Sequence, residues 1–214
     1  VTGVQTCALP ISDGYTLVLG SNGGLVVNPL LNPKLSYDPM KDFTPIGAAT
    51  DVPFILAAHV SLPANTVREL VDLAKAQPGR INFASPGAGT PNHLGGELLK
   101  KMAGIDIIHV PYKGSNPAVT ELLGGQVQML IENLPVVISH IRSGKLRALA
   151  VGTTKRSALL PELPTMQEAG VAGYESSTAF GVLAPAKAPV AIVRRLSAEL
   201  AATMRSAEVR ERMS

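Results

Sequence analysis

The densest chemistry in the chain lies in Ser85-Pro86-Gly87-Ala88-Gly89-Thr90-Pro91. Gly87 and Gly89 allow the backbone to turn so that successive N–H groups point one way. Thr90 followed by Pro91 is a helix start, an N-cap hydroxyl before a proline at the first helical position. A helix N-terminus adds orphan amides and the positive end of the dipole, so the turn suits an anion. Ser85 and Thr90 offer hydroxyl donors, Ala88 lies between the two glycines, and His93 falls in the first helical turn, where a neutral imidazole can face the loop. The same residues also describe an ordinary tight strand-to-helix turn. They do not form a nucleotide motif: GxGxxG needs Gly or Ala where Asn92 stands, and a Walker A loop needs Gly-Lys-Ser/Thr.

Three further clusters follow apolar runs. Lys113, between Tyr112 and Gly114, offers a positive charge to a carboxylate with the phenol as an orienting donor; its bland counterpart is a solvated loop lysine. Glu132 either binds an ammonium group or holds a loop by accepting N–H bonds, and the structural role is favoured. Ser21, Asn22 and Gly24 belong to a Gly-rich segment, GSNGG, after the first run. His59, His109 and His140 are scattered without ligand spacing, so no metal site is expected. Nucleophile elbow, HExxH motif, Cys–His pair and spaced acid pair are all absent from the sequence. Backbone amides and small hydroxyls with few titratable groups favour binding over catalysis, and no cofactor is expected.

Placing these residues requires strands and helices in alternation. YTLVLG (15–20) and FILAA (54–58) are short apolar runs, hence buried strands. Thr66 and Glu69 make a capping box for a helix over 66–77 with Val67, Leu70, Val71 and Ala74 on one face. INFAS (81–85) is a strand, and the helix from Pro91 to about Ala103 carries Leu94, Leu98 and Met102 on one side. DIIHV (106–110), VQMLI (127–131) and LRALAV (146–151) are strands, separated by helices opening near Ser115 and Pro135. This β-α-β-α-β-α-β succession predicts a parallel sheet with right-handed crossovers. Ligands in such sheets lie beyond the C-terminal ends of the strands, where all these clusters fall. A Pro-rich stretch (155–178), a strand FGVLA (180–184) and a helix after Pro189 with Ile192, Val193, Leu196, Leu200 and Met204 complete the chain.

With 214 residues, the chain has room for one large domain or two lobes with real cores. Its 46% apolar and 16% charged residues fit a globular protein. No apolar run reaches the roughly 18–20 residues of a membrane-spanning helix. The formal charge of +3, without a basic block and with no Trp, gives no footprint for nucleic acid. A lone Cys7 precludes an internal disulfide. Val1–Ile11 lacks the pattern of a signal peptide, and VTGVQTCALPI does not join naturally to DGYTLVLG; residues 1–12 are expected to be a non-native tail.

DGYTLVLGSNGGLVVNP, YDPMKDFTPIG, INFASPGAGTPNHLGGELL, HVPYKGSNPAVTELLGGQVQM, KLRALAVGTTKRSALLPELPTMQEAG and FGVLAPAKAP occur in order from Asp13 to the end. Together they resemble the substrate-binding receptors of tripartite tricarboxylate transporters (Bug or TctC-like). The resemblance implies a type II periplasmic-binding-protein-like α/β fold of two lobes with a ligand cleft, the first lobe incomplete. It divides the chain into 13–62 (first lobe, part), 63–172 (second lobe) and 173–214 (return to the first), with crossings near 57–62 and 172–178. It implies a periplasmic, monomeric receptor that captures a small carboxylate, a di- or tricarboxylate or related organic acid, and delivers it to membrane transporter subunits. Carried over, the second-lobe ligand loop is Ser85, Gly87, Ala88, Gly89 and Thr90, with His93 behind it and Tyr112, Lys113 and Gly114 at its rim; Ser21, Asn22 and Gly24 come from the first lobe. The family's Gly-rich opening loop of the PFxxGG type is missing, Glu132 replaces the usual Asp, and Ala179 replaces a common aromatic. The alternative is a small-molecule enzyme of doubly wound α/β fold that uses the Gly-rich loop for a phosphorylated ligand.

Overall fold

The structure, a computed structural model, describes residues 14–213; the expected non-native tail and Cys7 lie outside the described residues. The chain forms two compact units, Val1–Asp51 with Thr178–Ser214, and Val52–Ser177. The sequence reading sets its crossings near 57–62 and 172–178; the contact boundaries fall at 51/52 and 177/178.

In the first unit, β1 (Val18–Ser21) runs into a π-helical turn (Gly23–Val27) and α1 (Asn28–Leu31), and α2 (Pro39–Asp42) leads into β2 (Phe43–His59). After the second unit come β7 (Ser177–Pro185), α7 (Val190–Arg205) and α8 (Ala207–Met213). β1 pairs antiparallel with β7, Val18 opposite Leu183 and Ser21 opposite Phe180. The cores are small: Tyr37, Phe43 and Leu183 form one, and Ile46, Ala184 and Ala188 form another against Val193, Leu196 and Leu200 of α7. The amphipathic stripe expected after Pro189 is therefore the face that packs. β2 is far longer than FILAA, because Pro45, Asp51 and Pro53 look like strand breakers in sequence yet are accommodated within the strand.

The second unit holds the end of β2, α3 (Val67–Ala76), β3 (Asn82–Ser85), α4 (Pro91–Ala103), β4 (Ile108–Pro111), α5 (Ser115–Leu123), β5 (Met129–Asn133), α6 (Leu134–Arg142) and β6 (Leu146–Val151). β3 is parallel to both β4 and β5, as the alternating pattern predicts. β6 runs the same way as β5, so the strands of 81–151 share one direction, and the sheet is mixed only because β2 enters it reversed. β2 lies between β5 and β6 and is antiparallel to both. Residues 54–58 are at most 3% exposed, as a strand buried on both faces must be. Phe54, Leu56 and Ala58 face one core with Phe83, Met129 and Ile131, beneath α3 and α4; Ile55 and Ala57 face the other with Ala84 and Leu130, beneath α5 and α6. Period-two alternation along β2 thus builds a three-layer sandwich.

Thr66 caps α3 as expected, its Oγ1 accepting from Glu69 N at 3.1 Å. The reciprocal arm lands one residue earlier than in the standard box: Glu69 Oε2 accepts from Asn65 N at 2.7 Å. Of the side expected for α4, Leu98 packs against the core. Leu94 and Met102 are about 40% exposed, whereas Asn92, Gly95, Gly96 and Leu99 are buried. Small residues face inward because the helix lies close against Phe83: a Cβ on Gly96 would meet that ring at 2.1 Å. Tyr174, 1% exposed, donates to Gly95 O at 3.0 Å and ties the segment before β7 to the same helix.

Arg147 on β6 fastens the turn after β2. Its Nη1 donates to Leu62 O and Ala64 O, both at 2.9 Å, and Nη2 to Val60 O at 3.2 Å. Because the guanidinium is partly solvated, Arg147→Ala is expected to cost only about 1 kcal/mol, measured by urea unfolding. Arg147→Lys, with a compact ammonium, is expected to recover only part of that loss. Among the described residues no helix is long and apolar enough to cross a membrane.

Candidate functional site

The C-terminal ends of β3, β4 and β5 each deliver the chain into a helix, so the first turns of α4, α5 and α6 follow three neighbouring strand ends. The Ser85–Thr90 turn joins the first of these pairs. Ser85 is fully buried; its Oγ lies 3.2 Å from Gly87 N and 3.0 Å from Gly87 O. Thr90 is the N-cap of α4, accepting from His93 N at 3.3 Å while donating to Gly87 O at 2.7 Å. Gly89 has φ +77°, a left-handed conformation that disfavours any side chain. Its amide donates to His93 Nδ1 at 3.1 Å. The Ser85 and Thr90 hydroxyls, drawn from sequence as donors for a ligand, are thus engaged inside the turn. Among the described residues, the amides of Ala88 and Asn92 have no acceptor. They sit at the positive end of a 13-residue helix, where a small anion is stabilised.

Tyr112, Lys113 and Gly114 join the turn through the backbone. Tyr112 N donates to Ser85 O at 3.0 Å and Gly114 N to Pro86 O at 2.9 Å, extending the β3–β4 pairing past the strands. Gly114 takes φ +118° as the N-cap of α5. The Tyr112 phenol interacts with Glu121 of α5; burial, and then that carboxylate, push its pKa above the usual value. Lys113 is exposed. Ser21, Asn22 and Gly24 belong to the first unit, at the end of β1 and the start of the π-helical turn. There Gly24 N donates to Ser21 Oγ at 3.4 Å, and Tyr37 Oη donates to Gly24 O at 2.6 Å.

Glu132, fully buried near the end of β5, gathers the strand-end helices. Its Oε1 accepts from Asn92 Nδ2 at 3.0 Å, from Asn133 N at 2.8 Å and from Asn133 Nδ2 at 3.2 Å. Asn92 Nδ2 also donates to Ile131 O at 3.0 Å. Desolvation raises the Glu132 pKa, and the Asn133 amide, the nearby Ser115 hydroxyl and the Asn92 side chain offset part of that rise. Among the described residues, Oε2 has no hydrogen-bond partner.

Two residues escape the sequence reading. Asn92, dismissed as a mismatch to a nucleotide motif, links α4 to Glu132. His109, grouped with scattered histidines, stands on β4 opposite Phe83, two residues before the partner of Ser85. Its ring stacks on His93 with centroids 3.9 Å apart and packs on Phe83 at 4.9 Å. Its Nε2 lies 2.6 Å from Ser85 Oγ. The parallel register of strands 81–85 and 106–110 is the signal that brings Ser85 and His109 together.

Burial, reinforced by the neighbouring His93, lowers the His109 pKa from 6.5 to about 4. Between those values the unfolded chain binds a proton that the folded chain refuses. The contribution of His109 to stability is therefore present above about pH 6.5 and is lost progressively as the pH falls towards 4. His109→Gln is expected to flatten the dependence of the urea midpoint on pH across this interval. An unchanged slope would contradict the assignment.

All of residues 1–214 match the family described as tripartite tricarboxylate transporter family receptor. Protein BugT of Bordetella pertussis is 41% identical over 186 residues, covering 86% of this chain and 57% of BugT. A Pseudomonas sp. (strain P51) protein from a tcbD-tcbE intergenic region is 37% identical over 94% of this chain, which spans 60% of that relative's length. Thus the chain spans about three fifths of the curated relatives it matches. Among solved structures, R. palustris Rpa4515 with adipate superposes with a TM-score of 0.87 at 39% identity, covering 93% of this chain and 67% of that one. MatC (Rpa3494) from Rhodopseudomonas palustris with bound malate gives 0.82 at 31% identity, covering 94% and 69%. These neighbours and the mixed sheet between helix layers identify a periplasmic-binding-protein-like α/β fold. By sequence over its whole length and by fold, the chain belongs to the tripartite tricarboxylate transporter receptor family.

Proposed function

We propose that this chain belongs to an extracytoplasmic, periplasmic solute receptor that captures a small di- or tricarboxylate, or a related organic acid, and delivers it to the membrane subunits of a tripartite tricarboxylate transporter. The observation that carries the reading is the pair of acceptor-free amides, Ala88 and Asn92, at the start of α4. A carboxylate has the charge for N–H donors without acceptors beside the positive end of a helix dipole. Relatives solved with adipate and malate support the ligand class.

In this reading Ser85, Gly87, Gly89, Thr90 and His93 shape the turn, and Ala88 and Asn92 donate. Lys113 supplies long-range positive charge, with Tyr112 and Gly114 at the rim. Glu132 holds the helix starts in place. Ser21, Asn22 and Gly24 contribute further ligand contacts, and the two units act as lobes whose open and closed populations shift on binding. The receptor works as a monomer and carries out no reaction.

The test is a thermal-shift screen of the protein encoded by the complete gene, against mono-, di- and tricarboxylates and nucleotides. A cognate carboxylate at a hundredfold its dissociation constant should add about 2.7 kcal/mol, raising Tm by several degrees, and be recovered unchanged. A shift with nucleotides alone, or consumption of the ligand, would favour an enzyme using the Gly-rich loop for phosphate.

A further inference from the structure

The turn that leaves Ala88 and Asn92 free is held by two imidazoles, only one of which lies next to it in sequence. Gly89 N–H can only donate, so His93 Nδ1 must present a lone pair to it, and the His93 proton resides on Nε2. That tautomer and ring orientation are needed for the left-handed Gly89 turn to close on α4. The ring nearest His93 is that of His109, at 3.9 Å and 23°, with Phe83 stacked farther off at 6.4 Å. His109 in turn is fixed from two sides, by Phe83 at 4.9 Å and by Ser85 Oγ at 2.6 Å. The Ser85 hydroxyl has a choice of acceptors, because Gly87 O already accepts from Thr90 Oγ1; the His109 bond therefore persists in either tautomer of that ring.

The stack has an electrostatic consequence. Two imidazolium rings at this spacing would repel, and after burial the neighbouring His93 is what favours the neutral state of His109. A neutral His93 is what the Gly89 amide requires. Protonation at Nδ1 would replace its acceptor with a second donor and open the turn. The charged groups beside the pair are Glu97, whose Oε1 is 3.8 Å from His93 Nε2, and Lys100, which pairs with Glu97 at 3.5 Å.

We infer that His109 is a positioning residue for ligand capture: stacked on His93 and bonded to Ser85, it holds His93 as the acceptor of Gly89 and so keeps the Ala88 and Asn92 amides aimed at the carboxylate. This rests on the reading of the Ser85–Thr90 turn as the carboxylate site. It assigns to β4 a part of the binding apparatus that makes no ligand contact, of the kind that supports a site from behind.

Calorimetric titration of the complete protein with malate and with adipate tests it, alongside the ¹⁵N resonance of His93 Nδ1. Whichever of the two binds the wild type, His109→Ala is expected to weaken it tenfold or more and to move the Nδ1 resonance. His109→Phe, which keeps the stack, and His109→Gln, which keeps the Ser85 bond, should each recover part of the affinity. They also carry the test should the alanine variant not fold. A role confined to stability would leave both the affinity of the folded protein and the Nδ1 resonance unchanged. Affinity within twofold of wild type in all folded variants, with the resonance unmoved, would overturn the inference. Ala88→Pro separates the two levels. If it abolishes binding while the His109 variants bind normally, the site stands and the role of His109 falls. If the wild type binds neither acid, or Ala88→Pro binds both normally, the site and the inference fall together.

Discussion

Gly96→Val should destabilise the protein by about 3 kcal/mol or more, with Gly96→Ala intermediate at about 2 kcal/mol. Two effects oppose each other at this position. Replacing a mid-helix glycine by alanine gains roughly 1 kcal/mol of helix propensity. Against it stands the Phe83 ring, three atoms of which lie 2.1, 2.6 and 2.7 Å from where the new Cβ must go. The ring has no easy retreat: Phe83 is fully buried, and His109 packs on it at 4.9 Å. Inserting a methyl into so tight a core typically costs 1–3 kcal/mol, and at this overlap the helix itself must shift. The packing effect therefore wins. Urea unfolding measures the loss, and a Gly96→Ala variant more stable than wild type would show that α4 does not lie so close to β3.

The second large effect concerns Glu132→Ala, expected to cost about 3 kcal/mol at neutral pH. Oε1 accepts from Asn133 N–H and from the Asn92 side chain, so truncation strips a half-buried amide of its acceptor and leaves the buried Asn92 only the Ile131 carbonyl. Glu132→Gln keeps an acceptor in place and separates charge from shape. Since burial raises the Glu132 pKa above 4.5, the folded chain holds its proton more tightly than the unfolded chain does. The corresponding stability is fully present below about pH 4.5 and is lost as the pH rises through the folded-state value. Glu132→Gln should abolish that loss, so its midpoint relative to wild type should improve from pH 4.5 upward. A ratio independent of pH would show that Glu132 titrates alike in both states.

Much of this fold is legible in the sequence because its signals are local. Thr66 with Glu69 and Thr90 with Pro91 mark helix starts that the structure keeps, since each acts through its own backbone neighbours. The placement of β2 between β5 and β6 was not legible: FILAA announces a strand buried on both faces, but not which strands flank it. The face of α4 misled for a related reason. Leu94, Leu98 and Met102 form an apolar stripe, of which Leu98 packs on the core, yet the residues buried deepest are Asn92, Gly95, Gly96 and Leu99, because a bulky partner on β3 demands small residues opposite it. The turn at 85–90 was found from composition, and its N-cap and left-handed glycine follow from residue type. Its two histidines are not connected by any local signal, since His93 on α4 and His109 on β4 meet only when the helix packs on the paired strands.

The most direct measurement of the central claim is an amide chemical-shift titration of the isotope-labelled complete protein with the carboxylate that raises its Tm. The account predicts saturable movements of the Ala88 and Asn92 amide resonances, both yielding one dissociation constant that matches calorimetry. Tight binding that leaves those two amides unmoved, with the shifts centred elsewhere, would contradict it.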